Sequence, residues 1–433
     1  MATQVNVREI ILETLLLITR DGEYSHIALK NVLDKYQYLE KRERAFITRV
    51  VEGTLEHQIE IDYIINQFSK VKVHKQKSVI RTILRSSVYQ LKYMDHVPDS
   101  AVCNEAVKLA GKKGFVNLKG FVNGVLRNIS RNLDMVSYPD PSNEIACLSV
   151  RYSLPMWMVE KWISVYGKET VEKMGKAFLE ERPVTVRRNT AVVSKEEFEK
   201  ELEKDGVVYR RHPVLPYAYE LTNYDYLAGL LAFQKGYIYI QDISSMQVAE
   251  WAEPKEGDYV IDVCAAPGGK AIHLAEKLSG TGYVEARDLT EYKVALIEEN
   301  IERSGLDNIE AVCQDATIND EASYEKADIL IADLPCSGLG ILGKKPDLKS
   351  KMTVEMTKGL ADLQRQILTV VHNYVKPGGK LLYSTCTINR EENEDNTAWF
   401  VENFPEFEKI REKQMLPGSD MGDGFYIAEF RKQ

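Results

Sequence analysis

The stretch Ala332-Asp333-Leu334-Pro335-Cys336-Ser337-Gly338 places an acid, a proline and a thiol close together. It follows residues 327–331, an apolar run that is typical of a buried strand in a parallel sheet. In open α/β sheets the ligand site lies beyond the carboxyl ends of the strands, so Asp333 and Cys336 are predicted to lie in such a site. Pro335 restricts the turn that presents them. The stretch therefore predicts an α/β fold whose chemistry lies at a strand end.

A second thiol, Cys386, follows another strand-like run at residues 379–385. Two thiols at strand ends, together with Asp333, form a candidate nucleophilic site. Cysteine is also among the most buried residue types, so either thiol alone fits a structural role equally well. The pairing of the two thiols with an acid favours the functional interpretation.

The composition indicates a globular chain in a reducing compartment. The 433 residues are 44% hydrophobic and 28% charged, which suits two to four domains. The early apolar run at residues 10–18 is interrupted by Glu13 and is too short to cross a bilayer, and no basic stretch precedes it. Neither a membrane span nor a secretory signal is predicted. The six cysteines are scattered without a CxxC pair, which argues against a metal site or disulfides and for a cytoplasmic location.

Charge is distributed unevenly along the chain. The total of −9 argues against a nucleic-acid partner. Residues 1–140, however, carry 21 Lys and Arg against 16 Asp and Glu, and residues 70–131 carry 13 basic residues against 3 acidic ones. Because polyanion binding depends on local basic surface, this segment predicts contact with a nucleic acid, with a solvated helix face as the alternative.

Residues 1–135 are predicted to form a helical domain. Apolar residues recur there at helical spacing, most clearly in the set Leu118, Phe121, Val122, Val125, Leu126 and Ile129. The other face of that helix carries Lys119, Asn123 and Arg127, whose side chains can donate to phosphates.

Residues 136–232 are predicted to be a linker followed by a small α+β subdomain that is RRM-like and binds RNA. Two prolines and several turn formers in residues 133–145 indicate the linker. Alternating patterns predict strands at residues 182–189, 207–211 and 217–221. Arginine and tyrosine side chains on such strands suit phosphate contact and stacking on bases, with ordinary sheet packing as the alternative for Tyr209, Tyr217 and Tyr219.

Residues 233–433 alternate strand and helix patterns, which predicts a Rossmann-like domain with a mostly parallel sheet. A strand at 260–263 enters a glycine-rich turn, where a ligand can approach the backbone closely. The turn consists of Cys264, Ala265, Ala266, Pro267, Gly268, Gly269 and Lys270. It fits neither the GxGxxG nor the GxxxxGK(S/T) pattern, which disfavours a dinucleotide or a nucleoside triphosphate.

Acids at the following strand ends complete the predicted cofactor site. Asp288 ends the next strand and is placed to accept hydrogen bonds from ribose hydroxyls. Asp315 follows the third strand, where it could meet an adenine amino group, and Asp333 completes the set. A glycine-rich turn with these acids predicts an adenosine-containing cofactor.

Three motifs resemble the signatures of RNA (cytosine-5) methyltransferases, a family that uses S-adenosyl-L-methionine. They are Asp262-Val263-Cys264-Ala265-Ala266-Pro267-Gly268-Gly269-Lys270, Asp333-Leu334-Pro335-Cys336-Ser337-Gly338 and Tyr383-Ser384-Thr385-Cys386-Thr387. The segments 241–245 and 422–426 also fit. Two positions depart from the family, Leu334 where Ala is usual and Thr387 where Ser is frequent, and neither removes a reactive group. Since residues 1–135 resemble the NusB-like RNA-binding domain, the chain is similar to bacterial 16S ribosomal RNA cytosine-5 methyltransferases of the Sun/RsmB type.

The resemblance implies a role for each reactive residue. Cys386 would add to C6 of cytosine, which makes C5 nucleophilic enough to take a methyl group. Cys336 would assist product release, and Asp333 would contact the base near N3. Lys270 would stabilise a thiolate or contact the carboxylate of the cofactor, unless it is simply a solvated lysine of the first helical turn. DNA cytosine-5 enzymes instead place the nucleophile at the position of Cys336, and the residues alone do not rank the two thiols.

Substrate and assembly follow as expectations. A base must leave its stack to enter such a pocket, so the predicted partner is 16S ribosomal RNA in a non-duplex loop. The basic loop 343–349 is placed to hold an RNA backbone, and residues 422–431 are predicted to pair antiparallel with 406–413. The protein is expected to be a monomer that uses no metal. Methylation of transfer RNA or of a protein, and a non-catalytic role in RNA binding, remain open as alternatives.

Overall fold

The structure, a computed structural model, describes residues 6–433 and contains two compact units. The first unit extends to Glu180 and takes in residues 342–351, and the second comprises residues 181–341 and 352–433. The first five residues of the predicted helical domain lie outside the described part. No helix within residues 6–433 is long and apolar enough to cross a membrane. The division at residues 135 and 232 stays a prediction.

The first unit is helical; the prediction of helices covered its residues up to 135, and the unit adds three further helices from the segment predicted as linker and α+β subdomain. Its helices are α1 (Val7–Thr19), α2 (Ser25–Lys35), α3 (Lys41–Glu56), α4 (Gln58–Phe68), α5 (Ser78–Tyr93), α6 (Asp99–Lys112), α7 (Lys119–Arg131), α8 (Glu144–Tyr152), α9 (Met156–Tyr166), α10 (Lys168–Leu179) and the short α16 (Leu348–Lys351). The α7 stripe of Val122, Val125, Leu126 and Ile129 is buried in the core, while Arg127 on the other face is exposed. Burial of one apolar stripe per helix stabilises this bundle.

The segment 342–351 is held in the helical unit by two buried charged side chains. The Asp347 carboxylate accepts from Ser25 N at 3.2 Å and from Ser25 Oγ at 2.5 Å. Lys349 Nζ donates to the carbonyls of Glu56 at 3.0 Å and Tyr152 at 3.4 Å, and burial lowers the pKa of Lys349 to about 8. The prediction that this loop offers its lysines to RNA is therefore wrong for Lys349, because the backbone carbonyls of the bundle already occupy its ammonium.

The second unit begins with a small antiparallel sheet of strand order β2-β3-β1-β4. Its elements are β1 (Val184–Arg188), α11 (Lys195–Lys204), β2 (Val208–Arg211), β3 (Ala218–Thr222), α12 (Leu231–Gln234) and β4 (Ile238–Ile240). Tyr219 is fully buried and donates to Glu199 at 2.9 Å, and the Tyr217 ring packs edge-on against His273. The packing interpretation of these two tyrosines is confirmed.

Arg187 on β1 is buried as well, against the expectation of phosphate contact. Its guanidinium donates to Glu276 Oε1 at 2.9 Å, to Gln241 Oε1 at 3.1 Å and to the Gly269 carbonyl at 3.2 Å. A buried arginine needs such a carboxylate and several acceptors, because its charge has been taken out of water. Arg187 therefore joins the small sheet to the start of the helix that follows the glycine-rich turn.

The large sheet has seven strands in the order β10-β11-β9-β8-β5-β6-β7. Its strands are β5 (Tyr259–Asp262), β6 (Tyr283–Asp288), β7 (Ile309–Cys313), β8 (Ala327–Asp333), β9 (Val375–Thr385), β10 (Phe407–Met415) and β11 (Phe425–Lys432). The accompanying helices are α13 (Ile243–Ala252), α14 (Gly269–Lys277), α15 (Glu291–Ser304), α17 (Val354–Val371) and α18 (Glu394–Asn403).

Strands β5 to β9 of this sheet are parallel, and β11 pairs antiparallel with both β9 and β10. The mostly parallel sheet and the pairing of the last two strands are confirmed. The parallel strands bring Asp262, Asp288, Asp333 and Thr385 to one edge of the sheet as their last residues. That edge is where an open α/β sheet binds its ligands.

Candidate active site

The two predicted thiols lie side by side. Strands β8 and β9 are neighbours with Asp333 paired to Ser384, so each strand ends within a few residues of its cysteine. Cys336 Sγ and Cys386 Sγ are 3.1 Å apart and both side chains are half-buried. One bound molecule can therefore reach both sulfur atoms.

The thiols also influence each other's ionisation. The hydrogen bond to Cys386, burial, and the charge that Cys386 carries when ionised raise the pKa of Cys336 well above the usual range. Two negative sulfur atoms at this distance would repel strongly. Ionisation of one thiol therefore opposes ionisation of the other, and the S–H that remains can donate to the thiolate.

Asp333 and Lys270 form an ion pair next to the thiols. Lys270 Nζ lies 2.6 Å from Asp333 Oδ2, and Ser384 Oγ donates to Asp333 Oδ1 at 2.7 Å. The Lys270 side chain is 15% exposed. Although burial opposes its charge, Asp333, Asp262 and Cys386 raise the pKa of Lys270. The interpretation of Lys270 as a solvated surface lysine is wrong, and an ammonium fixed here favours negative charge on the groups around it.

Asp262, the last residue of β5, is a site residue for which the motif alone predicts no role. It is 1% exposed, and Oδ2 has no hydrogen-bond partner. Burial and the nearby Asp333 charge raise the pKa of Asp262 to about 7. A buried carboxylate oxygen without a partner is costly, so this atom is placed to accept from a bound group. In the sequence, the only indication that Asp262 belongs to the site is its position as the first residue of the glycine-rich motif.

The glycine-rich turn leaves its backbone accessible. Gly268 has φ +101°, which L side chains rarely adopt, and a Cβ built on Gly269 would meet no atom within 4 Å. Ala265 N donates to the Arg287 carbonyl at 2.8 Å, which ties the turn to β6. Burial raises the pKa of the Cys264 thiol, so this cysteine stays neutral. Ala266 and Pro267 complete the turn, whose open face is suited to a ligand in contact with the backbone.

The two predicted acids for an adenosine group lie at neighbouring strand ends. The buried Asp288 carboxylate accepts from Ala266 N at 2.9 Å, from Leu289 N at 2.7 Å and from Lys293 Nζ at 2.9 Å. Asp315 follows β7, the strand paired with β6, and its Oδ1 accepts from Thr317. The structure therefore brings Asp288 and Asp315 to the same sheet edge as the turn.

These features together fit an adenosine-containing cofactor. The open Gly269 backbone, the carboxylates at the strand ends and the unpartnered Asp262 Oδ2 offer acceptors and space at one edge of the sheet. Within residues 6–433, no group of three or more His, Cys, Asp or Glu side chains is arranged to hold a metal ion.

The two additional motif segments, 241–245 and 422–426, are joined to each other and to the loops that carry the thiols. Asp242 Oδ1 accepts from Asp423 N at 2.9 Å and from Ser244 N at 3.0 Å, so one side chain joins both segments. Gly424 N donates to the Gly340 carbonyl at 2.9 Å, and Gly340 N donates to the Cys386 carbonyl at 3.1 Å. A Cβ on Gly340 would lie 2.0 Å from the Gly424 carbonyl oxygen, so the backbones approach too closely for any larger residue.

The fold and the site together define a methyltransferase that uses S-adenosylmethionine. Three family models match the chain: 16S rRNA methyltransferase RsmB/F over residues 249–431, the NusB family over 5–131, and the ferredoxin-like domain of RsmF/B-like methyltransferases over 154–225. The probable ribosomal RNA small subunit methyltransferase B of Bacillus subtilis (strain 168) is 35% identical, and the match covers 99% of each chain. The chain belongs to the ribosomal RNA small subunit methyltransferase B family.

Solved structures agree with this assignment. The crystal structure of PH0851 matches with a TM-score of 0.85 and 26% identity over 99% of this chain and 100% of the other. NSun6 from Pyrococcus horikoshii, solved with SFG, matches with a TM-score of 0.56 and 25% identity over 63% of this chain and 97% of the other. The predicted resemblance, fold class and cofactor are confirmed.

If Asp288 binds the ribose as predicted, replacing it by Ala should weaken binding of S-adenosylmethionine by about 1–3 kcal/mol, because the ribose hydroxyls would lose a charged acceptor. Isothermal titration calorimetry of the folded variant measures this loss. Asp307→Ala, which changes an exposed acid outside the site, is the control and should bind like the unaltered protein. Equal affinity of the two variants would remove Asp288 from the cofactor site.

Proposed function

We propose that this protein transfers a methyl group from S-adenosylmethionine to C5 of a cytosine in 16S ribosomal RNA through a covalent adduct between Cys386 and C6. The observation that carries the proposal is the pair of sulfur atoms 3.1 Å apart beside the Lys270–Asp333 ion pair. A lone nucleophile would need no second thiol at that distance. Two thiols suit a reaction in which one adds to the base and the other handles a proton.

Cys386 acts as the nucleophile in this scheme. Its thiolate is favoured over that of Cys336, because the pKa of Cys336 is raised and Lys270 supplies a nearby positive charge. The sulfur bonds to C6, and the electron pair of the C5–C6 double bond moves into the ring, which makes C5 nucleophilic. When bound, S-adenosylmethionine supplies an electrophilic methyl group. C5 would bond to that methyl carbon while the methyl–sulfur bond breaks and its electron pair stays on the departing sulfur, and C5 would retain its proton at this stage.

Cys336 then serves product release. Once Cys386 is bonded to C6 it carries no charge, so the repulsion that raised the pKa of Cys336 is relieved. Cys336 can then release its own proton to solvent and, as a thiolate, take the proton from C5. The electron pair of the C5–H bond restores the C5–C6 double bond, and Cys386 leaves as a thiolate.

Asp333 holds the base in this proposal. Its carboxylate is fixed by Lys270 and Ser384, so it is oriented before the substrate arrives. A carboxylate in this position can accept from the exocyclic amino group of cytosine beside N3. Uracil carries a carbonyl there and would meet the carboxylate with another acceptor, which favours cytosine.

The substrate assignment rests on the relatives, whose names specify the small-subunit ribosomal RNA. We propose a non-duplex loop, since the half-buried thiols require an unstacked base. We also propose that the protein acts as a monomer in the cytoplasm and uses no metal. Mass spectrometry of nucleosides from 16S RNA tests the reaction: cells without the protein should lack one 5-methylcytidine, and the purified protein should restore it. Unchanged 16S RNA with loss from transfer RNA would favour the transfer RNA alternative.

The basic segment 70–131 should contribute RNA affinity rather than chemistry, and the structure divides four of its basic residues into two groups. Lys112 and Lys113 form ion pairs with Glu9 at 2.5 and 2.8 Å, whereas Lys119 and Arg127 line a groove between α6 and α7. Neutralising all four should reduce the salt dependence of binding, and we expect Lys119→Gln with Arg127→Gln to reduce the salt slope by about 1–2.

Filter binding at several salt concentrations measures that slope. The control pair Lys112→Gln with Lys113→Gln should change it less, because Glu9 already offsets those charges. The methylation rate at saturating RNA should stay near that of the unaltered protein. A collapse of that rate with normal binding would instead assign these residues to catalysis.

A further inference from the structure

A fully buried carboxylate, Glu392, lies behind the two thiol loops. It accepts hydrogen bonds from Ser337 N at 2.8 Å, Ser337 Oγ at 2.5 Å, Asn389 Nδ2 at 2.9 Å and Gln364 Nε2 at 3.2 Å. It is 0% exposed, and burial raises the pKa of Glu392. Burying a carboxyl group is costly, so four donors directed at one side chain indicate a specific role for it.

The donors connect Glu392 to both cysteines. Ser337 follows Cys336 in the chain, and its hydroxyl lies 2.8 Å from the hydroxyl of Thr387, which follows Cys386. Gln364 Nε2 also donates to the Pro335 carbonyl at 2.8 Å, next to Cys336 on its other side. One carboxylate thus fixes the residues that flank each sulfur atom, without contacting the sulfur atoms themselves.

We propose that Glu392 is a positioning residue that sets the spacing between Cys336 and Cys386, acting through Ser337 and Thr387. The inference rests on the proposed function, in which both thiols act on one base. Two loops at the ends of adjacent strands have no covalent reason to hold a fixed distance. Hydrogen bonds to the carboxylate can hold that distance, since both of its oxygens accept from donors in the thiol loops and in α17.

The chemistry of the site requires a carboxylate at this position. In Glu392→Gln the side chain keeps its size, but one oxygen becomes an amino group that faces N–H donors from Ser337 and Gln364 or from Asn389. Either orientation of the amide removes the charge and at least one acceptor contact of the carboxylate, which weakens its hold on the loop that carries Ser337. Ser337→Ala removes only the hydroxyl between Glu392 and Thr387, so it is a milder test of the same connection.

The first measurement reports thiol spacing without any RNA. Diamide takes one hydrogen from each of two thiols and leaves a disulfide, and peptide mass spectrometry follows formation of the Cys336–Cys386 bond in the full-length protein. We expect Glu392→Gln to slow this oxidation about tenfold or more and Ser337→Ala to slow it less, because geometry controls such reactions steeply. Glu402→Gln, which changes an exposed acid on α18, is the matched control.

The second measurement is steady-state methylation. Glu392→Gln should lower kcat by about 10- to 100-fold, because a displacement of about 1 Å costs that much, and should leave the KM for S-adenosylmethionine unchanged. Ser337→Ala should show a smaller loss of the same kind, and it also decides the question if Glu392→Gln fails to fold. The proposal would be overturned if the oxidation rate and kcat of Glu392→Gln both equalled those of Glu402→Gln. It would also be overturned if only the oxidation rate or only kcat changed.

The two proposals can fail separately. If the unaltered protein methylates no cytosine, the proposed function fails while the oxidation comparison still decides whether Glu392 sets the thiol spacing. If the unaltered protein is active and both variants oxidise and turn over like the control, the function stands and the positioning role is overturned.

Discussion

A Cys336→Ala protein is expected to accumulate a covalent complex with its RNA, and a Cys386→Ala protein is expected to form none. Without Cys336 the thiolate of Cys386 can still add to C6 and the base can still be methylated, but the C5 proton is removed slowly. Without Cys386 no adduct forms, and the methylation rate should fall by a factor on the order of 10⁴ or more, as for loss of other catalytic nucleophiles.

Denaturing electrophoresis with labelled RNA detects the trapped complex. The band from Cys336→Ala should require S-adenosylmethionine and should disappear after digestion with ribonuclease. Cys103→Ala, which alters a buried cysteine of the helical unit, is a control that should form no stable complex. A complex trapped by Cys386→Ala and absent from Cys336→Ala would reverse the roles and assign this enzyme the arrangement of the DNA methyltransferases.

The strand ends of the large sheet could be predicted because parallel strands buried on both faces are continuous apolar runs. Residues 327–331 and 260–263 are such runs, and the reactive residues directly follow them. Chain order then places Asp333 and Cys336 at the ligand edge without any knowledge of side-chain contacts. The same strand-end rule places Cys386 at that edge, and Cys336 and Cys386 lie close together because their strands are neighbours.

Side-chain partners from distant parts of the chain could not be predicted in this way. Glu392 lies in the charged stretch 390–395, which has the composition of a solvated surface, yet it is fully buried because the thiol loop donates to it from 55 residues earlier. Composition alone also predicts that Lys349 and Arg187 contact RNA. Each is buried against acceptors that only the tertiary structure brings near.

The active-site acids Asp262 and Asp333 carry like charges when ionised, and the positive charge of Lys270 reduces the repulsion between them. Burial and the Asp333 charge raise the pKa of Asp262, and Lys270 offsets this effect from a site that is largely shielded from water. In wild-type protein the pKa of Asp262 is about 7. Without the ammonium, Asp262 should hold its proton to still higher pH, while Asp333 loses its ion-pair partner.

Lys270→Met is therefore expected to lower the free energy of unfolding by about 2–4 kcal/mol at pH 8 and by less at pH 5. The sign follows from proton binding. A carboxyl group with a raised pKa in the folded state binds more protons there than in the unfolded state, so its effect on stability is most favourable below about pH 4 and is lost as pH rises through 7. Removal of Lys270 should raise the pKa of Asp262 in the folded state further. The free energy of unfolding should then fall more steeply above pH 7.

Urea unfolding at pH 5 and pH 8 measures the difference. Lys277→Met is the matched control, because Lys277 lies on the same helix α14 and pairs with Glu250 at 2.8 Å, but both side chains are about one-third exposed. An exposed pair of this kind contributes less than about 1 kcal/mol and should show little dependence on pH in this range. If Lys270→Met loses no more stability at pH 8 than at pH 5, the ammonium does not offset the buried carboxylates, and its contribution to the Cys386 thiolate must be abandoned as well.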